Sequence, residues 1–397
     1  AAKAEQLELM HFWTSGGEAA AIGVVKDEAA KAGIEWKDAA VAGGNGMNAY
    51  QVLQARVAAG NPPAAMQMHG AQMTQYANAG LLLDLSEIAD QQGWDKKIVP
   101  DLLHFARIDG KFVGVPFNMH RANWMWINKQ ILDDIGAEPP KNWDEFFALG
   151  DKLKEKGITP LAAGGQPWQD YLLWEQVVLG SQSRDYFVNA LVKADPKEID
   201  KPEMRNAFEV FRKVLSYTDT NRANQDWNLA TANVINGQAA MQMMGDWALG
   251  EFTKAGKTAG KDFVCVTSPG TEGVFDWNAD FWGFFRGLNE SKQETQEKLA
   301  EITLDPAVQK SFNMLKGSSP AVLDVGADGF SPCQQKDIED RLAAIKSGKM
   351  VGSISQNSSV STEVSGVYQD AVTQFAADPN MTPDQAVDVI IQGLSSL

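Results

Sequence analysis

The chain has 397 residues, 44% of them hydrophobic, and a formal net charge of −16 at pH 7. Its length exceeds what one compact core usually organises and predicts two domains, and its apolar content excludes a disordered protein. The acidity argues against nucleic acid as a partner and against binding to anionic lipid, because both need basic surfaces. No apolar run reaches the length of a membrane span.

The sequence pattern alternates between strands and helices over its first third. The predicted elements up to residue 126 are a strand at 7–10, a helix at 19–32, a strand at 34–41, a helix at 48–59, a strand at 64–69, short helices or loops from 81, a hairpin at 108–112 and a long extended run at 113–126. The later ones are helices over 143–179, a helix leading into a strand over 226–244, strands at 263–266 and 281–285, and helices at 305–315, 337–345 and 383–394. The extended run and the strand at 281–285 would carry the chain between lobes, so the pattern predicts an α/β fold of two lobes.

The segment from His11 to Glu18, His-Phe-Trp-Thr-Ser-Gly-Gly-Glu, lies between the first predicted strand and the first helix. Open α/β sheets bind ligands at the carboxyl ends of their strands. A flat ring beside hydroxyls and a carboxylate suits a sugar, which has apolar C–H faces and a rim of hydroxyls. A core aromatic pair followed by an ordinary helix cap is the alternative, and the residues alone leave both open.

Tryptophan is abundant, with 12 in the chain, and many of these residues have polar neighbours. Such pairs indicate rings in a polar cleft or at wet surfaces rather than in an apolar core. They are Asn123-Trp124, Asp226-Trp227-Asn228, Asp246-Trp247 and Asp276-Trp277-Asn278.

The motifs of common enzymes and cofactor sites fail on inspection. The glycine pattern at 44–49 lacks the acidic residue that a dinucleotide site needs, and Lys257-Thr258 lacks the first glycine of a phosphate loop. No pair of histidines has metal-ligand spacing, and no nucleophile elbow is present. We therefore expect no cofactor, no metal and no enzymatic activity. A glycosidase pair drawn from Glu18, Asp246 and Asp280 is the alternative, although carboxylates that only accept hydrogen bonds need no pKa tuning.

The two cysteines, Cys265 and Cys333, are consistent with one disulfide in an oxidising compartment, and two buried thiols would give the same count. The opening segment Ala1-Ala2-Lys3-Ala4 is what cleavage of a signal peptide leaves, although an engineered start would read the same.

Taken together, several segments resemble the periplasmic sugar-binding proteins of ABC transporters, in particular the branch typified by bacterial glucose-binding proteins. They follow the order of that family and span most of the chain. The matching segments are His11–Glu18, Gln67–His69, Pro116–Arg121, Trp143–Phe146, Val234–Met241 with Met244–Trp247, and Lys316–Pro320.

The resemblance implies a two-lobed periplasmic-binding-protein fold, with a ligand cleft between lobes that crossing strands join. The expected lobes are residues 1–117 with 283–318, and 118–282 with 319–397. The resemblance also implies a periplasmic monomer that captures a monosaccharide and delivers it to a membrane-bound ABC permease. From compartment and pairing we expect Cys265 and Cys333 to be bridged.

The resemblance further assigns a set of ligand residues. Trp13 should stack on one face of the sugar and Trp247 or Trp227 on the other, while Asn118 and His120 should lie near the cleft. The residues expected to bind hydroxyl groups are Glu18, Gln67, His69, Asp280 and Lys316.

Two positions depart from the family pattern. Phe12 replaces a second tryptophan, and Gln356 or its neighbour replaces a histidine. Gln356 either contacts the ligand or lies in a solvated, serine-rich loop. Glucose is the first expectation for the ligand, with galactose, mannose or a disaccharide as alternatives. The alternative from another class is a glycoside hydrolase using Glu18 or Asp280.

Overall fold

A computed structural model describes residues 5–397, so the predicted signal-cleavage remnant at 1–4 lies outside the described residues. The described chain forms two compact units. Unit 1 comprises the residues up to His120 together with Asn278–Gln335, and unit 2 comprises Arg121–Trp277 together with Lys336–Leu397. Neither unit is one continuous segment, because the chain passes between them at residues 120/121, 277/278 and 335/336.

The described residues contain strands and helices throughout. The strands are β1 (Glu5–His11), β2 (Ile34–Ala40), β3 (Ala65–Met68), β4 (Arg107–Ile108), β5 (Lys111–Phe112), β6 (Gly114–Pro116), β7 (Asn118–Arg121), β8 (Trp124–Asn128), β9 (Thr159–Leu161), β10 (Ala239–Met243), β11 (Phe263–Thr267), β12 (Phe275–Asn278), β13 (Phe281–Phe284), β14 (Ser319–Pro320) and β15 (Met350–Gly352). The helices are α1 (Gly16–Lys31), α2 (Met47–Ala58), α3 (Gly70–Asn78), α4 (Ser86–Gln92), α5 (Trp94–Lys97), α6 (Pro100–Ala106), α7 (Lys129–Ile135), α8 (Trp143–Glu155), α9 (Pro167–Ser181), α10 (Arg184–Phe187), α11 (Pro196–Ile199), α12 (Pro202–Leu215), α13 (Trp227–Ile235), α14 (Ala248–Lys254), α15 (Glu290–Leu304), α16 (Pro306–Lys316), α17 (Pro332–Ser347), α18 (Thr362–Ala377) and α19 (Pro383–Ser395), with a 3₁₀ turn at Gly44–Gly46 and a π-helical turn at Val188–Val192.

Unit 1 is organised by a five-stranded sheet in the order β2-β1-β3-β13-β6. The first three strands are parallel, whereas β13 runs antiparallel to both of its neighbours. Leu7 and Leu9 of β1 are buried, and α1 packs against α16. Antiparallel pairing of β14 with β7 adds two further strands to this unit.

The first helix begins at a capping box that the sequence already contains. Ser15 Oγ accepts from the backbone N–H of Glu18, and the Glu18 carboxylate accepts from the backbone N–H of Ser15. This reciprocal pair satisfies two of the donors that every helix leaves unpaired at its N-terminus. The chain is therefore fixed directly after the end of β1.

Unit 2 contains a four-stranded mixed sheet in the order β11-β8-β10-β9, in which β8 pairs antiparallel with both β10 and β11. A second pairing, parallel, joins β12 to β15. Helix α9 is buried along most of its length and packs against α12 and α18. This arrangement makes α9 the central helix of the unit.

The hairpin that was predicted at 108–112 is confirmed, with Asp109 and Gly110 in left-handed conformation at the turn between β4 and β5. The predicted extended run at 113–126 is divided into β6, β7 and the start of β8, because each strand pairs with a different and distant partner.

The unit boundaries differ from the predicted lobes, most of all at the third one, predicted after residue 318 and found after Gln335. Segment 319–335 belongs to unit 1 because Gln334 Nε2 donates to the carbonyls of Asn313 and Ser318, at 2.7 and 2.9 Å.

Both cysteines are disulfide-bonded and neither is free, so the predicted disulfide is confirmed. Among residues 5–397, no helix combines the length and the apolar character that crossing a membrane requires.

Candidate functional site

Most of the predicted ligand residues lie in unit 1, where they follow β1, end α16, or lie in or next to β3, β7 and β13. The eight are Trp13, Glu18, Gln67, His69, Asn118, His120, Asp280 and Lys316. All are buried, and the side chains of Gln67, Asn118 and His120 are hydrogen-bonded to that of Asp280. The fold thus brings into one local cluster residues that are spread over some 300 positions of the sequence.

Asp280, in the turn between β12 and β13, is the centre of that cluster. Its carboxylate accepts from Gln67 Nε2 at 2.9 Å, from Asn118 Nδ2 at 3.0 Å and from His120 Nε2 at 2.9 Å. His69 Nε2 lies 3.6 Å from Asp280 Oδ1. The backbone N–H of Asp280 donates to Asn118 Oδ1 at 2.9 Å, so Asp280 is held through its backbone as well as its side chain.

The ionisation of these groups follows from their burial. Burial alone would raise the pKa of Asp280, but the hydrogen bond from His120 and the nearby His69 and Lys316 hold it well below its usual range. Burial lowers the pKa of His69, and burial with the Lys316 charge lowers that of His120 to about 4. Around Asp280 the neutral-pH state is therefore one carboxylate and two neutral imidazoles.

Acid is expected to destabilise the folded protein as these imidazoles protonate. The pKa of His120 falls from 6.5 to about 4 on folding, so the unfolded state binds more protons between these values. The free energy of unfolding should consequently decrease as the pH falls from 6.5 towards 4. Urea unfolding across this range should show a shallower pH dependence for His120→Gln. The matched control is His104→Gln, at an exposed position, which should keep the wild-type profile. A wild-type profile in His120→Gln would contradict the assignment.

Trp13 is held beside the cluster by other aromatic rings. It is 2% exposed, with Phe117 edge-on at 4.9 Å and Phe312 at 5.4 Å between ring centroids. Lys316 Nζ lies 5.7 Å from the Trp13 ring centroid and 3.9 Å from Glu18 Oε2. The ring, the cation and the Glu18 carboxylate of the capping box thus form a second group of chemically complementary side chains in unit 1.

Phe12 is one of the two positions that depart from the family pattern. It lies at the same end of β1 as Trp13 but on a different side. Its ring makes edge contacts with Tyr50 and His69, at 6.0 and 5.8 Å between centroids. A Cβ at Gly46 would approach Phe12 to 2.7 Å, and Gly46 has φ of +92°. A glycine is therefore required where the loop after β2 passes Phe12.

The other three predicted ligand residues belong to unit 2. Trp227 begins α13 and is half-buried, whereas Trp247 is 6% exposed and follows β10. A Cβ at Gly245 would lie 2.2 Å from the Trp247 ring, so the indole packs on a backbone that only glycine permits. Of the two alternatives for Gln356, the structure excludes the solvated loop, because Gln356 is 1% exposed and its backbone N–H donates to Ser353 Oγ at 3.2 Å.

Some polar residues of the described chain were missed by sequence reasoning. Glu175 and Arg121 are both buried, and each binds several partners within unit 2. His11 was noticed only as part of the first motif. A lone glutamate within the apolar pattern of α9 was the signal available for Glu175; nothing in the local sequence distinguishes Arg121.

The geometry does not suit general acid catalysis. A lowered pKa keeps the Asp280 carboxyl ionised, so it has no proton to donate, and the Glu18 carboxylate accepts from the backbone of Ser15 in the helix cap. Within residues 5–397 no group of three or more His, Cys, Asp or Glu side chains is arranged to hold a metal ion.

Residues 14–286 match the bacterial extracellular solute-binding protein family, and the chain belongs to it. It is 42% identical, over 394 residues, to a probable sugar-binding periplasmic protein of Mesorhizobium japonicum, covering 99% of this chain and 94% of the relative. A protein of the same description from Rhizobium meliloti is 43% identical with the same coverage. A solved chitin oligosaccharide binding protein shares the fold with a TM-score of 0.83, at 23% identity and 99% coverage of both chains.

These findings confirm the predicted resemblance to periplasmic sugar-binding proteins of ABC transporters, and with it the α/β fold of solute-binding proteins. The predicted periplasmic location is confirmed, since the family is extracellular and the relatives are described as periplasmic. The expectation of a binding protein rather than an enzyme is confirmed by the family as well.

Proposed function

We propose that this protein captures a monosaccharide and delivers it to the membrane-bound permease of an ABC transporter. Glucose is the monosaccharide that we propose first. The observation that carries the proposal is the cluster around Asp280, next to the Trp13 ring and the Lys316 cation. The transport role follows from the family, and the description of the relatives as sugar-binding supports the class of ligand.

The chemistry of the cluster suits a polyhydroxylated ring. A carboxylate has about four acceptor positions, and protein donors fill three at Asp280, so the remaining one can accept from a sugar hydroxyl. Lys316 donates and cannot accept, and an indole such as Trp13 covers apolar C–H groups. An epimer that leaves one of these groups unpaired would lose about 1–3 kcal/mol of binding free energy.

The ligand set that we propose keeps Trp227, Trp247 and Gln356 of unit 2, each to be tested by substitution. Glucose is put first because the resemblance is to glucose-binding proteins, whereas Phe12 and Gln356 are the positions at which selectivity is expected to differ. We also propose that the protein acts as a monomer.

Isothermal titration against glucose, galactose, mannose, maltose and chitobiose tests the ligand. Glucose should bind most tightly and should raise the unfolding temperature, because a ligand that binds only the folded state stabilises it. Tightest binding of a disaccharide would replace the monosaccharide proposal. Release of reducing ends from an oligosaccharide would instead show a hydrolase.

A further inference from the structure

His11, the last residue of β1, joins two groups through the two nitrogens of its ring. It is 1% exposed, its Nε2 lies 2.7 Å from Asp38 Oδ1, and its Nδ1 accepts from the backbone N–H of Trp13 at 3.2 Å. A backbone N–H can donate only to an unprotonated ring nitrogen, so Nδ1 carries no proton. The proton of the neutral imidazole is therefore on Nε2, which donates to Asp38.

Asp38 is itself fixed by neighbours in unit 1. Trp36 Nε1 donates to Asp38 Oδ1 at 3.0 Å, and Lys26 Nζ of α1 lies 3.0 Å from the same oxygen. These two residues, with His11, keep the carboxylate ionised and in place on β2. Asp38 and Lys26 are the charged groups that act on His11, and burial lowers the pKa of His11 despite Asp38.

The neighbouring peptide is fixed by a second side chain. The backbone N–H of Phe12 donates to Gln67 Oε1 at 2.9 Å, and Gln67 Nε2 donates to Asp280 at 2.9 Å. Two successive N–H groups beyond the end of β1 are thus bound by side chains rather than by another strand. Buried backbone donors need such partners, so these contacts determine the path of the chain at Phe12 and Trp13.

We infer that His11 is a positioning residue for the sugar site: its unprotonated Nδ1 holds the peptide of Trp13 so that the indole ring is presented to the ligand. This inference rests on the proposed function, which makes Trp13 a sugar contact. Protonation of His11 would convert Nδ1 from an acceptor into a donor that faces the Trp13 N–H. The held peptide would then be released, and the affinity for sugar would fall with it.

Two substitutions distinguish the roles of the two ring nitrogens of His11. In His11→Asn the amide oxygen can take the place of Nδ1, whereas in His11→Gln the longer amide reaches Asp38 and leaves Trp13 without an acceptor. Titration with glucose should show a loss of about tenfold for His11→Gln, the size of one buried hydrogen bond, and a much smaller change for His11→Asn. Wild-type affinity in His11→Gln, or equal losses in both variants, would overturn the inference.

The pH dependence of sugar affinity is a second test, because a purely structural role of His11 would not change it. Because burial lowers the pKa of His11 from its ordinary value of 6.5, the ratio of wild-type to His11→Asn affinity should be constant above pH 6.5 and should decrease only at the lower pH at which His11 protonates. Other titrating groups of the site are shared by both proteins and cancel in this ratio. A ratio that stays constant through the pH at which the ring signals of His11 titrate would contradict the role of His11.

Hydrogen exchange of the ligand-free protein separates this inference from the proposed function. The Trp13 amide should be protected in the wild type and in His11→Asn, and should exchange faster in His11→Gln. That result stands even where the wild type binds none of the sugars, an outcome that would overturn the proposed function alone. Unchanged protection of the Trp13 amide in His11→Gln would overturn the inference alone.

Discussion

Replacing Asp280 by alanine is expected to weaken glucose binding by about 1.5–3 kcal/mol, which is roughly 10- to 150-fold in Kd. The change removes the acceptor for a sugar hydroxyl and leaves the donors of Gln67, Asn118 and His120 without their common partner. Each buried donor left unpaired costs about 1–3 kcal/mol of folding free energy, so stability should decrease as well. Titration with glucose and urea unfolding measure the two effects.

Two controls define what the Asp280 result means. Asp280→Asn keeps the size of the side chain but directs an amide donor at other donors, so its affinity should fall between wild type and alanine. Asp328→Ala removes an exposed carboxylate of the same unit and should change neither quantity. Wild-type affinity in a folded Asp280→Ala would exclude this carboxylate from the ligand site and remove the main support for the proposed function.

Replacing Glu175 by alanine is expected to destabilise unit 2 by roughly 2–6 kcal/mol, the cost of two buried backbone donors left unpaired. The Glu175 carboxylate lies in α9 and accepts from the backbone N–H groups of Ile354 and Ser355 at 2.6 and 3.1 Å. It also accepts from the hydroxyls of Ser353 and Ser355, at distances of 2.8–3.0 Å. This single side chain therefore holds the segment that leads to Gln356.

Hydrogen exchange at Ile354 and Ser355 is the direct measurement for Glu175→Ala, and both amides should lose protection. Glu175→Gln should retain part of it, because the amide oxygen still accepts while the serine hydroxyls can turn to accept from the amide nitrogen. Unchanged protection in the alanine variant would show that the segment is held by other contacts. Burial and the nearby Glu175 carboxylate raise the pKa of Asp276 well above its usual range. The protonation of Asp276 should therefore be compared between the wild type and these variants.

Local patterns predicted the elements whose structure is determined locally. The strand at 7–10, the hairpin at 108–112 and the helix at 305–315 were predicted, and they correspond to β1, β4 with β5, and α16. The run at 113–126 was not resolved into three strands, because what divides it is pairing with β13, β14, β10 and β11, which are far away in sequence. The third unit boundary was misplaced for a similar reason, since the contacts of Gln334 are specific to the folded chain.

The residue types of the candidate site were predicted, but their partners were not. Ser15-x-x-Glu18 is a capping-box pattern readable from sequence, and it shows that Glu18 has a structural contact in addition to any ligand. The sequence places Asp280 more than 200 residues from Gln67, so nothing local could show that one carboxylate binds Gln67, Asn118 and His120 together. The tautomer of His11 likewise depends on Asp38 and Trp13 in the folded state.

The position of β13 inside the sheet of unit 1 has a consequence for how the protein is made. Strand β13 lies between β3 and β6, yet it is synthesised roughly 165 residues after β6, which at about 5–20 residues per second is a delay of roughly 8–33 s. During that interval the inner edges of β3 and β6 have no partner and are open to pairing with other chains. Unit 1, whose first strand is synthesised first, is therefore completed late. A chain that ends before Phe281 should fail to assemble this unit.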